Sequence, residues 1–159
     1  MILVLLGTQN KPFIRILNAV ESEIKKGKIK EKVVAQIGCT KFESDKIEVF
    51  DFISKDKLQD LIEDAKIVIT HGGVGIITEC ICKNKKVIVI PRLKKYKEHT
   101  NDHQLQITKE FANKGYIIPL YSEKSLSKAI DKAKKFKPVK YESNNEIFKN
   151  KLKDYIDKI

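Results

Sequence analysis

Residues 67–79 read Ile67-Val68-Ile69-Thr70-His71-Gly72-Gly73-Val74-Gly75-Ile76-Ile77-Thr78-Glu79. A short β-branched run, three glycines between positions 72 and 75, and a return to helical period describe a strand, a tight turn and the opening of a helix. The same unit recurs on both sides. Ile2–Leu6, Val33–Ile37, Ile47–Phe50, Val87–Ile90 and Tyr116–Pro119 are further strand candidates, and helical period runs over 12–26, 55–63, 75–84, 102–114 and 123–135. The strands are near-continuously apolar rather than alternating, as strands covered on both faces are. Strand, helix, strand in repetition predicts a doubly wound α/β domain with a parallel sheet, Rossmann-like in outline.

Size and composition agree. The 159 residues are 42% hydrophobic, enough for one core, and a fold of this size buries about 68–70% of its chain's surface without metal or disulfide staples. We place the domain at 1–137, followed over 138–159 by a linker and an amphipathic helix. In that helix Phe148, Leu152, Tyr155, Ile156 and Ile159 share one face, which packs on the domain or docks a partner. The opening run Met1–Leu6 is far short of the about 20 apolar residues of a spanning helix and lacks a cationic leader, so it reads as a buried first strand. Cys39, Cys80 and Cys82 form no disulfide framework, which points to a reducing, cytoplasmic compartment. The net charge of +11 admits nucleic acid, an anionic membrane surface or an anionic small substrate.

Ligands of open α/β sheets bind at the carboxyl ends of the strands. Three loops there carry small or polar residues: Gly7-Thr8-Gln9-Asn10, Gly38-Cys39-Thr40 and His71 to Gly75. The last combines close backbone approach with a helix N-terminus, an arrangement that holds phosphate, although such a turn is also built where only a tight reversal is needed. His71 adds a hydrogen bond or a charge. Glu79, about a turn into the helix, suits a pair of sugar hydroxyls. A dinucleotide fingerprint would need a further glycine among Ile76, Ile77 and Thr78, and no GxxxxGK[ST] occurs, so NAD and P-loop binding are set aside. After Val87–Ile90 come Arg92, Lys94, Lys95 and Lys97, then Glu98, His99, Asp102, His103 and Gln104. These polar groups suit a polyhydroxylated ligand, while the cations alone also fit a solvated loop. The spacings of Cys80 with Cys82 and of His99 with His103 match no standard zinc site, so no metal is expected and both cysteines read as packing residues. No nucleic-acid-binding signature is present.

The order ILVLLGTQNKPF, AQIGCTKF, HGGVGIITE and KKVIVIPRLKKYKEHTNDHQ resembles the C-terminal, donor-binding domain of glycosyltransferase family 28. The likeness is greatest to its stand-alone versions, the soluble subunits of the two-part UDP-N-acetylglucosamine transferase of the dolichol pathway and of bacterial capsule and exopolysaccharide transferases. It covers roughly residues 1–120. It implies the donor half of a GT-B fold, with a UDP-sugar as donor substrate and no cofactor. Gly72, Gly73 and Gly75, with His71, would shape the diphosphate loop, and Glu79 would hold the ribose. Gln104 and Asp102 or His103 would hold the donor sugar, and Gly7, Thr8 and Gly38 would line the cleft opposite. Ile76 stands where relatives carry Ser or Thr, and His103 separates an acid and a glutamine that plant-type relatives keep adjacent. The acceptor site and the catalytic base would come from a membrane-anchored partner of similar fold, which would hold this chain at the inner face of the membrane. Lys94, Lys95, Lys97 and the lysines of the C-terminal third would face anionic lipid or a lipid-diphosphate acceptor. The high Lys and Ile content suggests an AT-rich bacterial genome and hence capsule or exopolysaccharide synthesis. The alternative function is a non-catalytic accessory that stabilises or recruits a partner transferase.

Overall fold

The computed structural model of the chain describes residues 1–142. Six parallel strands form one sheet: β1 Ile2–Leu5, β2 Val33–Gln36, β3 Glu48–Phe50, β4 Ile67–Thr70, β5 Lys86–Val89 and β6 Ile118–Pro119. Five α-helices connect or follow them: α1 Ile14–Lys25, α2 Lys55–Asp64, α3 Val74–Cys82, α4 His103–Asn113 and α5 Leu126–Lys135. The strand order is β3-β2-β1-β4-β5-β6. The chain therefore winds outward from β1 in one direction, returns to β4, and winds outward in the other. Leu5 stands level with Thr70 across the β1–β4 pair, so the two loops that leave this reversal point begin side by side and open a crevice between them.

Successive side chains of a strand point to opposite faces, and both faces of this sheet are covered. Val4, Ala35, Ile69 and Ile88 meet Phe13, Ile16, Leu17 and Val20 of the α1 region and Leu126, Ile130 and Ala133 of α5. Leu3, Leu5, Val34, Val68 and Val87 meet Ile62 of α2 and Ile77, Cys80 and Ile81 of α3. This is why the strands read as unbroken apolar runs. Cys80 is buried as expected, and burial pushes its thiol up to about 12. Cys82 is exposed, which corrects its reading as a packing residue, because it falls on the solvent side of α3.

Local chemistry sets the helix limits. Ser54 Oγ accepts from Lys57 N at 3.3 Å and starts α2. Gly115, at φ +73°, ends α4: its N–H donates to Ala112 O and that of Tyr116 to Phe111 O, the paired bonds of a Schellman cap. Tyr116 is thus spent on the cap, and the last strand begins at Ile118 rather than Tyr116. The link from β2 to β3 contains no helix, which leaves one flank of the sheet grooved.

Residues 138–142 stay on the domain. Val139 N donates to Gly115 O at 3.1 Å, and the Tyr141 ring lies edge-on to Tyr116 with centroids 5.4 Å apart. The helix expected over 146–159 lies outside the described residues. The lysines are distributed unevenly. Residues 25–32 carry five lysines and one glutamate, and 134–140 carry four lysines and no acid; both stretches sit at the amino edge, where Lys86 Nζ donates to Lys134 O. Lys94, Lys95 and Lys97 follow β5 at the carboxyl edge, as Lys124 follows β6, so they do not form one surface with the lysines of 134–140.

Ile69 is at the middle of the sheet with no exposed surface. Ile69→Ala is expected to destabilise the chain by about 2–5 kcal/mol, measured as a lowered midpoint in urea with an unchanged slope.

Candidate functional site

A cleft of about 330 Å3 opens where β1 and β4 part. Gly7, Thr8 and Gln9 after β1, His71, Gly73, Gly75 and Ile76 after β4, and Gln36 of β2 with Leu58 of α2 line it. A larger groove of about 750 Å3 runs along the helix-free link between β2 and β3, from Gly38 to Asp51. The groove offers no helix N-terminus. The smaller cleft has one, at the reversal point where α/β sheets bind ligands, and it is the candidate site.

The His71 ring sets the shape of the cleft. A Cβ on Gly7 would stand 2.4 Å from His71 Nε2, and one on Gly73 would stand 2.2 Å from His71 Cε1. The imidazole is held between two backbones that only glycine allows so close. A Cβ on Gly72 would meet Gln104 Cβ at 2.7 Å, and one on Gly38 would meet Gly7 O at 2.4 Å. Gly75 differs: a Cβ there meets nothing within 4 Å. No internal contact requires a glycine at this exposed position, so the first turn of α3 is open there.

Glu79 follows Gly75 by four residues and shares its helix face, about 6 Å further along the axis. Its Oε1 is buried and has no hydrogen-bond partner. Buried polar atoms are nearly always partnered; Arg92 Nε is the other buried side-chain atom without a partner among the described residues, and Glu79 itself is not among the residues that line the cleft.

Burial, and secondarily the charge of Arg92, lower the pKa of His71 from 6.5 to about 4. With that shift the ring is neutral at pH 7 and able to offer a hydrogen bond rather than a charge. Arg92 and Glu98 are also corrected. Arg92 is 1% exposed, and its guanidinium donates to Leu6 O and Lys11 O at 2.7 Å and to Glu98 O at 3.2 Å. Glu98 accepts from Arg15 Nε at 2.7 Å and from Leu93 N at 3.0 Å. Both side chains are turned inward and brace loops rather than face a ligand. Gln104 is buried as well, bonded to Gly72, Arg92 and His71.

The remaining candidates divide. Asp102 Oδ1 accepts from Lys94 N at 2.8 Å, and His103 lies 3.1 Å from Gln106 Oε1; both are exposed outside the cleft. His99 Nδ1 accepts from Asn101 N at 3.3 Å. Gly38 lines the larger groove rather than the cleft. Among the described residues no three His, Cys, Asp or Glu gather as a metal site would need, and no helix is long and apolar enough to cross a membrane. Gln36, Leu58 and Arg15 were not foreseen. The first two sit in ordinary strand and helix patterns. Arg15 carried one faint signal, being one of only two arginines in the chain.

The model of the glycosyltransferase family 28 C-terminal domain matches residues 1–159. The chain belongs to that family. It is 32% identical over 94 residues to the UDP-N-acetylglucosamine transferase subunit ALG13 of Candida albicans, a match that covers 59% of this chain and 30% of that protein. The chain thus spans less than a third of that relative. A solution structure of ALG13 superposes with a TM-score of 0.62 at 20% identity over 91% of both chains. The glycosyltransferase SnogD from Streptomyces nogalater superposes at 0.59 and 18% identity, over 83% of this chain and 34% of that one. The fold is therefore that of the C-terminal domain of GT-B glycosyltransferases, as read from the sequence.

Two outcomes test this geometry. Gly75→Ala is expected to leave stability unchanged or raise it by up to about 1 kcal/mol, whereas Gly73→Ala lowers the melting temperature because the wedged His71 ring cannot yield. His71 has a lower pKa folded than unfolded, so on acidification the unfolded chain takes up the proton first. Stability is expected to fall as pH drops from 6.5 towards about 4, by about 2–3 kcal/mol, and urea titrations across that window should show this slope reduced in His71→Gln.

Proposed function

We propose that this chain is the donor-binding half of an inverting, UDP-sugar-dependent glycosyltransferase that acts on a lipid-linked saccharide together with an acceptor-binding partner. The observation that carries the reading is the pairing of Gly75 with Glu79. The open first turn of α3 takes the diphosphate on its unpaired N–H groups and the positive end of its dipole. One turn on, the unpartnered Oε1 of Glu79 accepts from the ribose hydroxyls. The sugar then lies toward the exposed Asp102 and His103. His71 donates a neutral hydrogen bond to the phosphate, and Gly7 and Thr8 close the opposite wall.

In the reaction, an acceptor hydroxyl attacks the anomeric carbon from the face opposite the diphosphate. The bond from that carbon to the β-phosphate oxygen breaks, and the departing UDP keeps the electron pair, stabilised by the α3 N-terminus. The hydroxyl proton passes to a base on the partner. The cleft contributes binding and charge stabilisation; Glu79 is held at the nucleoside end, away from the attacking oxygen.

The name of the Candida relative favours UDP-N-acetylglucosamine as donor. The capsule or exopolysaccharide setting read from composition gains no support from the comparisons. For membrane association, the exposed group at Lys94–Lys97 lies on the same edge as the cleft and fits a surface that presents a lipid-linked acceptor. The lysines near 134–140 face the other way.

Calorimetric titration with UDP tests the reading. Glu79→Ala is expected to weaken UDP binding by about 1–3 kcal/mol while the folded chain keeps its melting temperature. Unchanged affinity would count against the assignment, and wild-type chain that ignores UDP even with its partner would favour the accessory role.

A further inference from the structure

Carried over from the family, Gln104 would hold a hydroxyl of the donor sugar. Its surroundings give it a second task. Gln104 Oε1 accepts two main-chain hydrogen bonds at once, from Gly72 N at 2.9 Å and from Arg92 N at 3.0 Å. Two N–H donors converging on one atom require an oxygen there, so the amide has only one permitted orientation. Its NH2 group therefore faces His71, with Nε2 3.3 Å from His71 Nδ1. An amide NH2 only donates, so His71 Nδ1 accepts and carries no proton. The single proton of a neutral imidazole then sits on Nε2. That nitrogen lies where Gly7 lacks a side chain, 2.4 Å from the Cβ that another residue would place there, and His71 and Gly7 both line the cleft.

We propose that Gln104 is a positioning residue that acts through His71: its amide fixes the imidazole in the Nε2–H tautomer, so that the ring presents a neutral hydrogen-bond donor to a phosphate oxygen in the cleft. The inference rests on the donor-binding reading for the identity of the ligand, and on geometry alone for the tautomer. Burial first, then the charge of Arg92, disfavours a second proton on the ring, and Gln104, whose oxygen is held by Gly72 N and Arg92 N, can only donate to Nδ1. The donor is therefore the same on either side of neutral pH, where an unconstrained histidine changes charge. One side chain also ties this group to the backbone of the glycine loop and to the exit of β5.

The test is a long-range 1H–15N correlation spectrum of the histidine rings in the full chain, with the His71 signals assigned by their loss in His71→Gln. The expected result is a protonated Nε2 and a bare Nδ1 at neutral pH. A proton on Nδ1, or an average of the two tautomers, overturns the proposal. Gln104→Glu keeps an oxygen for Gly72 and Arg92 but turns an acceptor toward His71, so the ring should gain a proton on Nδ1. A ring spectrum unchanged by that substitution would show that Gln104 serves only as a structural tie. For binding, the side-chain amide of glutamine reaches the place of Nε2, whereas asparagine reaches only that of Nδ1. His71→Asn should accordingly lose about tenfold more UDP affinity than His71→Gln, and equal losses would remove Nε2–H as the donor. Failure of the wild-type chain to bind UDP would fall on the donor reading, and the ring spectrum would still decide the tautomer.

Discussion

Arg92 is almost wholly buried, so its charge has to be met by the protein rather than by water. Burial lowers its pKa and the Glu98 carboxylate beside it raises it again. Its guanidinium reaches carbonyls at Leu6 and Lys11 beyond β1 and at Glu98 beyond β5, and it stacks over the Phe13 ring at 4.8 Å. These contacts draw loops from strands on either side of β4 against one another, with the glycine loop between them. Arg15 completes the arrangement by holding Glu98 and Pro91 O. A charge of this kind adds little net stability, because its desolvation offsets much of the attraction. What it contributes here is the relative position of the loops that form the site.

Gln104 and His71 extend the same junction into the cleft. The glycines that look like phosphate-loop glycines in the sequence do not share one task. Gly7 and Gly73 admit the His71 ring, Gly72 admits Gln104, and Gly75 alone faces open space. The loop is therefore formed before any ligand arrives, and a diphosphate would meet donors already aimed at it. Such preorganisation limits the reorganisation that binding and charge development require.

The sheet, its parallel strands and the helices between them were legible in the sequence, because a doubly covered strand leaves an apolar run that few other environments allow. Boundaries failed where a cap intervened, as at Tyr116, and where solvent exposure followed helix phase, as at Cys82. The loop after β4 was equally legible, since three glycines between a strand and a helix have few explanations. The polar stretch from Arg92 to Gln104 was harder. Linear order cannot distinguish a polar side chain that faces a ligand from one that braces a loop, and Arg92, Glu98 and Gln104 are all buried and bonded to the backbone of loops. Their partners, Leu6, Lys11, Arg15 and Gly72, are distant in sequence and come together only when the sheet closes. The same limit hid the separation of Lys94–Lys97 from the lysines of 134–140 onto opposite edges.

A nucleoside diphosphate bound along the face of α3 shared by Gly75 and Glu79 would be seen most directly in a residue-by-residue backbone NMR titration of the chain with UDP at neutral pH. The largest shifts are expected on the amides from Gly72 to Glu79 and on those of Gly7 and Thr8. Shifts centred instead on residues 38–51, along the larger groove, or no saturable response from the chain alone or with its partner, would contradict that placement.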